Sequence, residues 1–182
     1  MSLFYVTGIS GMGKSEVLRE LQTRGLKAYG VDEDSFGDWV NRNSGEIEVL
    51  EPKAGEGFNI HDWYKNHAWV LSKERIGQIA NQANADNLNV FLCGTADGFD
   101  DCSNLFSKVV ALHMDDPITL AARIQQREDI DFGKDPAELN RILEWQNNAE
   151  PHFRTMGAVI LNASKPVQEI VDELLMIVAD SQ

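Results

Sequence analysis

The stretch "YVTGISGMGKSEVLREL", residues 5–21, decides how the rest of the chain is read. It is preceded by Leu3 and Phe4, so a short apolar, β-forming run (Leu3, Phe4, Tyr5, Val6) enters a glycine-rich turn, as a buried parallel strand does. Beyond the turn Val17, Leu18 and Leu21 form one apolar helical stripe, and Gly25 supplies a stop. The unit is strand, glycine loop, helix. Within it "GISGMGKS" fits G-x-x-x-x-G-K-[ST], with Gly8, Gly13, Lys14 and Ser15 at the fixed positions. Each position has a physical task in holding a nucleoside triphosphate. The glycines let the loop curl so that N–H groups around Ser10, Gly11, Met12 and Glu16 point inward, and the helix start adds its dipole and unpaired amides. Lys14 gives a point charge to the β- and γ-phosphates, and the Ser15 hydroxyl can ligate magnesium. At ordinary residue usage the pattern arises by accident in roughly 1% of chains of this length, before its strand and helix flanks are required.

The same alternation continues. "LKAYGVD", "NVFLCG", "KVVALHMD" and "GAVILN" read as four further strands, with helices expected over Trp69–Ala85, Pro117–Glu128, Pro136–Glu150 and Pro166–Ala179. Strands rich in Val, Ile, Leu and Phe that alternate with helices imply an α/β fold, its mostly parallel sheet covered on both faces. Asn43–Lys65 interrupts the rhythm with Gly45, Pro52, Gly55 and Gly57, and reads as a long loop or small insertion.

Composition narrows the classes of function. At 182 residues the chain has the size of one domain, and it carries no apolar run long enough to span a bilayer. Leu3–Val6 is too short for a signal-peptide core, so a cytoplasmic location is expected, with Cys93 and Cys102 as free thiols. With 29 acidic and 16 basic residues the net charge is -13, which repels polyanions, so neither nucleic acid nor a membrane is an expected partner. A small phosphorylated ligand is compatible with that field, because a few cations and backbone amides hold it locally.

Three segments extend the reading beyond the glycine loop: "VDED" at the end of the second strand, "VVALHMDDPITLAARIQQRED", and "ILNASKPVQEIVDEL". With these the chain resembles the P-loop kinases of small molecules and nucleotides, the group that includes adenylate, shikimate and gluconate kinases, over most of its length and less between residues 43 and 70. The resemblance implies a three-layer P-loop NTPase fold with a five-stranded mostly parallel sheet, helices on both faces and a small lid. It implies one kinase domain over residues 1–182, with an acceptor-binding insertion at about 35–85 and the lid at about 123–137. ATP and Mg2+ are the implied cofactors. By similarity to the D-x-D of shikimate kinases, Asp32 falls to the metal shell with Ser15, and Asp34 to binding or deprotonating the acceptor. Arg123 and Arg127, four apart and therefore on one helical face, look like lid arginines that close over the phosphates. Asn162, Ala163, Ser164 and Lys165 resemble the loop that borders the adenine ring.

The acceptor end departs from the adenylate kinase pattern. Where those enzymes carry an arginine after the third strand, "GTADGFDD" puts Asp100, which would repel a monophosphate unless Arg42 or Arg75 compensates. Gly94 and Thr95 would let an acceptor approach the backbone there, and Asp97 could hold a magnesium-bound water. In "NIHDWYKNHAW", Trp63 with His61, Asp62, Tyr64, His67 and Trp69 offers stacking faces for an acceptor, or ordinary packing. The reading at this level is an ATP-dependent kinase acting on a small-molecule hydroxyl, with nucleoside monophosphate phosphorylation as one alternative and an ATP-driven switch or assembly factor as another. Base preference and oligomeric state stay open.

Overall fold

The computed structural model of the protein describes residues 2–48, 65–128 and 131–180. Its elements in chain order are β1 (Leu3–Thr7), α1 (Lys14–Thr23), β2 (Lys27–Gly30), β3 (Gly37–Asn41), β4 (His67–Leu71), α2 (Lys73–Ala85), β5 (Val90–Cys93), α3 (Phe99–Cys102), β6 (Lys108–His113), α4 (Pro117–Gln126), α5 (Pro136–Thr155), β7 (Val159–Asn162) and α6 (Val167–Ala179). All five residues of β1 are buried, so both of its faces are covered, as its unbroken apolar run requires. β1 is the middle strand of a five-stranded sheet ordered β2-β5-β1-β6-β7, and every neighbouring pair is parallel. Val6 stands opposite both Cys93 and Val110, so the strands deliver their C-terminal ends to one edge. In open α/β sheets ligands bind at that edge.

Helices hold this sheet on both faces. The stripe of α1 (Val17, Leu18, Leu21) is buried as its period predicts, and α1 packs against β2, β5 and α6. α2 packs against β1 and β5, whereas α5 packs against β6 and β7. The ring of Tyr5 stacks with Phe99 and Phe106, at centroid distances of 6.0 and 5.1 Å. Cys93 and Cys102 are free and buried, and burial pushes both thiols above their ordinary range. Among the described residues no helix is long and apolar enough to cross a membrane.

Three features depart from the expectations above. Trp69–Leu71 begin no helix: they belong to β4, which pairs antiparallel with β3 in a separate two-stranded sheet, and the helix starts at Lys73. Bulky, β-favouring side chains (Trp39 against Trp69, Val40 beside Ala68) form the cross-strand contacts, which overrides the helical reading. α5 runs five residues past Glu150, through Pro151 to Thr155. Proline removes one N–H donor from the ladder, but the helix continues because Phe153 is anchored in the core. Of the loop expected over 43–65, the described part is its start and Lys65: residues 42–44 turn, and Ile47 bridges back to Val40. Residues 49–64, and with them Trp63, His61, Asp62 and Tyr64, lie outside the described residues.

Gly37 lets β3 and β4 pack closely against each other. A Cβ there would stand 2.3 Å from the Trp69 ring, so the indole lies directly on the Gly37 backbone. The expected outcome of Gly37→Ala is displacement of Trp69 and a loss of about 1–3 kcal/mol of stability, read as a lower urea midpoint with unchanged slope.

Candidate functional site

The loop after β1 turns on glycines. Gly13 precedes α1 in a left-handed conformation (φ 87°), and a Cβ on Gly11 would meet Leu120 at 2.5 Å, so α4 packs directly over the loop backbone. Lys14 curls back to donate from Nζ to the Ile9 carbonyl at 3.0 Å. Its surface is only part-covered, yet protein crowds the ammonium closely: burial pulls its pKa from 10.5 down to about 8, against the attraction of Asp32, and with the repulsion of Arg127 adding to the effect.

The carboxylates come from the turn after β2. Asp32 is held above its ordinary range, first by burial of the carboxylate and then by the charge of Glu33, opposed by Lys14 and the Trp69 indole. Glu33 accepts a hydrogen bond from Ser15 Oγ at 3.3 Å, a contact that the sequence reading missed. Asp34 is placed differently from its expected role. Its carboxylate accepts the Gly30 N–H at 2.8 Å, closing the turn on itself, and it does not face the cavity that Asp32 lines.

That cavity, of about 1120 Å³, collects much of the expected site. From the loop and α1 come Ser10, Gly11, Gly13, Lys14, Ser15 and Glu16; from elsewhere come Asp32, Arg42, Thr95, Arg123 and Arg127. Arg127 Nη2 donates to Ser10 Oγ at 3.1 Å and to the Phe132 carbonyl at 3.2 Å, which ties the end of α4 to the loop. Arg123 Nη1 donates to the Ala163 carbonyl at 2.8 Å, linking α4 to the turn after β7. Gly8, Met12, Gly94, Ala163, Ser164 and Lys165 do not line the cavity. Gly8 accepts from the Thr95 hydroxyl, Met12 is fully buried, Gly94 packs on Val31, and Lys165 is turned to Glu173.

Asp100 is also placed differently from the sequence reading. It is exposed in the first turn of α3 and does not line the cavity, so it does not face an acceptor held there. At the far end of the cavity, Trp69, Arg42, Asp97 and His67 from the sequence reading are joined by Trp39, Arg141 and Trp145, which it did not name. Trp39 and Trp69 meet at 5.2 Å with a 50° tilt, and both line the cavity. Beside them Arg42 Nη2 donates to Asp97 at 3.3 Å, and His67 meets Glu48 at 2.9 Å. Arg141 and Trp145 reach the cavity from α5. Their spacing of four puts them on one helical face, a signal present in the sequence but tied to no motif. Arg141 makes no hydrogen bond or ion pair with the described residues, and the Trp145 ring is 46% exposed.

The donor set near Lys14 suits a hard cation. Ser15, Asp32 and Glu33 offer only oxygen, and the charge of Glu33 raises the proton affinity of Asp32, which a cation beside them would offset. These residues fit Mg2+.

No protein-family model and no curated protein matches the sequence. Solved structures do match it in fold. A shikimate kinase from Acinetobacter baumannii in complex with shikimate is 14% identical, with 100% of this chain and 95% of that one covered at a TM-score of 0.57. A gluconokinase from Sinorhizobium meliloti 1021 is 18% identical over 98% and 92%, at 0.52. A deoxyadenosine kinase from M. mycoides with bound dATP is 14% identical, with 98% of this chain and 100% of that one covered, at 0.52. The chain has the P-loop kinase fold of the shikimate and adenylate kinase type.

A polyphosphate held at Lys14 would bind with a dependence on pH. Its depressed pKa means that the free protein sheds this proton as pH rises through about 8, whereas a bound polyphosphate favours the ammonium. Affinity for ATP measured by calorimetry is expected to be level below about pH 8 and to fall above it by up to about tenfold per unit. In Lys14→Ala the affinity is weak and this slope is lost.

Proposed function

We propose that this chain is an ATP-dependent phosphotransferase that moves the γ-phosphoryl group of ATP to a hydroxyl of a small molecule. The observation that carries this reading is that Lys14 and Ser15, at the head of α1, open into the same cavity as Asp32, Arg123, Arg127 and the Trp39–Trp69 pair. A phosphate-donor end and a ring-faced, polar end share one space. The fold neighbours named as kinases of shikimate, gluconate and deoxyadenosine support the same reaction type.

In this reading the backbone N–H groups from Gly8 to Glu16 cradle the phosphates, and Lys14 neutralises charge on the transferring group. Ser15 and Asp32 hold magnesium, with Glu33 beside them. Magnesium when bound neutralises phosphate oxygens and aligns them for in-line displacement. Arg127, joined to Ser10, covers the phosphates from α4, and the segment at about 123–137 acts as the lid that excludes water. Arg123, with Ala163, Ser164 and Lys165, borders the base. Asp32, which lines the cavity where Asp34 does not, accepts the hydroxyl's hydrogen bond in the role expected of Asp34. Arg42 and Asp97 orient the acceptor.

A second reading has a phosphate-bearing acceptor, as in nucleoside monophosphate kinases. It is favoured by Arg141, whose guanidinium lines the cavity and has no hydrogen bond or ion pair among the described residues.

The test is ADP release with ATP and magnesium, alone and against monophosphates, nucleosides, sugars and hydroxy acids. Acceptor-stimulated release supports the kinase; slow hydrolysis that no acceptor changes overturns it in favour of an ATP-driven switch. Lys14→Ala and Asp32→Asn are each expected to lose about 10²–10³-fold in turnover with the fold retained by circular dichroism. Asp34→Asn, by contrast, should weaken the turn after β2 while sparing most of the turnover.

A further inference from the structure

Outside the cavity, the end of β6 and the C-terminal half of α5 bring together His113, Asp115 and Glu150. The three potential ligand atoms lie within 4.8 Å of one another, and none of these residues lines the cavity. His113 Nε2 stands 3.0 Å from Asp115 Oδ1 and 3.8 Å from Glu150 Oε2. A ring nitrogen carries at most one proton, so it can serve one carboxylate as a donor and leaves the second without one. Among the described residues Glu150 Oε2 has no other partner, because Arg154 donates only to Oε1. Asp115 is also unused by the local fold. The neighbouring Asp116 caps α4, accepting from the Ile118 N–H and the Thr119 hydroxyl, while Asp115 turns to the imidazole.

The histidine is 7% exposed, and its other nitrogen, Nδ1, is buried with no partner among the described residues. Hydrogen bonding on the Nδ1 side therefore does not account for where the ring sits. What orients it is the pair of carboxylates, whose mutual repulsion is offset by one guanidinium on the far oxygen of Glu150. We propose that His113, Asp115 and Glu150 bind a divalent transition-metal ion of the zinc type, joining the end of β6 to α5. One imidazole and two carboxylates form a donor set that suits Zn2+, whereas Mg2+ prefers oxygen alone. Asp115 is 95% exposed, which leaves the remaining coordination position to water and lets this ligand close the short gap to bonding distance. Arg154 orients the far oxygen of Glu150, as groups outside a ligand set commonly do. The ion would brace the helix whose other half carries Arg141 and Trp145 into the cavity.

The test uses the full chain, stripped by chelator and free of nucleotide, titrated with Zn2+ against a chromophoric chelator, with Co2+ absorption as a reading of ligand geometry. The expected result is one saturating equivalent, weakened at least about tenfold in Asp115→Asn and in Glu150→Gln and abolished in His113→Asn. Since His113 is buried and its variant can misfold, the exposed Asp115→Asn decides the matter alone. No saturable zinc uptake, or the same affinity in wild type and Asp115→Asn, overturns the proposal. Loss of zinc in Asp32→Asn but not in Asp115→Asn would place the ion beside Ser15 and overturn it equally.

Discussion

The rest of the site depends on how the ammonium of Lys14 is held at the head of α1. Its charge is costly where protein crowds it, and the cost is limited by the Ile9 carbonyl it bonds and the Asp32 carboxylate it faces. Both partners are fixed by the sheet: Ile9 follows β1 directly, and Asp32 follows β2, two strands away across β5. A loop that leaves the central strand, turns on left-handed glycine and enters a helix aims unpaired N–H groups at the same point. The result is a concentrated positive centre inside a protein of net charge -13.

Two further elements are tied to that centre by arginines. Arg127 joins the end of α4 to Ser10, and Arg123 joins its middle to Ala163 after β7. Both guanidinium groups spend donors on protein oxygens, so the segment beyond α4 is coupled to the loop and to the last strand at once. The opposite wall has another origin. Among the described strands β3 and β4 pair only with each other, and they contact the main sheet's loops through Asp97, whose backbone exchanges hydrogen bonds with Trp69 and Leu71. The cavity thus lies between a wall that belongs to the parallel sheet and a wall built on a small, separate hairpin.

How much of this was legible depended on range. β1, its loop and α1 were readable because their determinants are local: an apolar run, glycines at fixed offsets, a helical stripe. The other four strands of the main sheet were readable as buried parallel strands for the same reason. The β3–β4 pair was not, since its partners are separated by residues 42–66 and no two-residue turn announces a hairpin, and the run from Trp69 continues without a break into a true helix at Lys73. Asp34 shows the limit from the other side. The spacing D-x-D is compatible with two carboxylates facing a ligand, but whether the second one does so depends on a competing backbone donor, the Gly30 N–H, four residues away.

By itself, then, the sequence determined the glycine loop between β1 and α1, the five strands of the main sheet, and the spacing of the arginines at 123 and 127, all of which follow from short-range periodicity and loop chemistry. Tertiary structure decided which carboxylate faces the cavity, which tryptophans line its far end, and that Arg141 and Trp145 arrive there from α5. It also decided that His113, Asp115 and Glu150 converge. These depend on side-chain direction and on contacts between residues tens of positions apart, and neither is encoded in the local period that makes a strand or a helix recognisable.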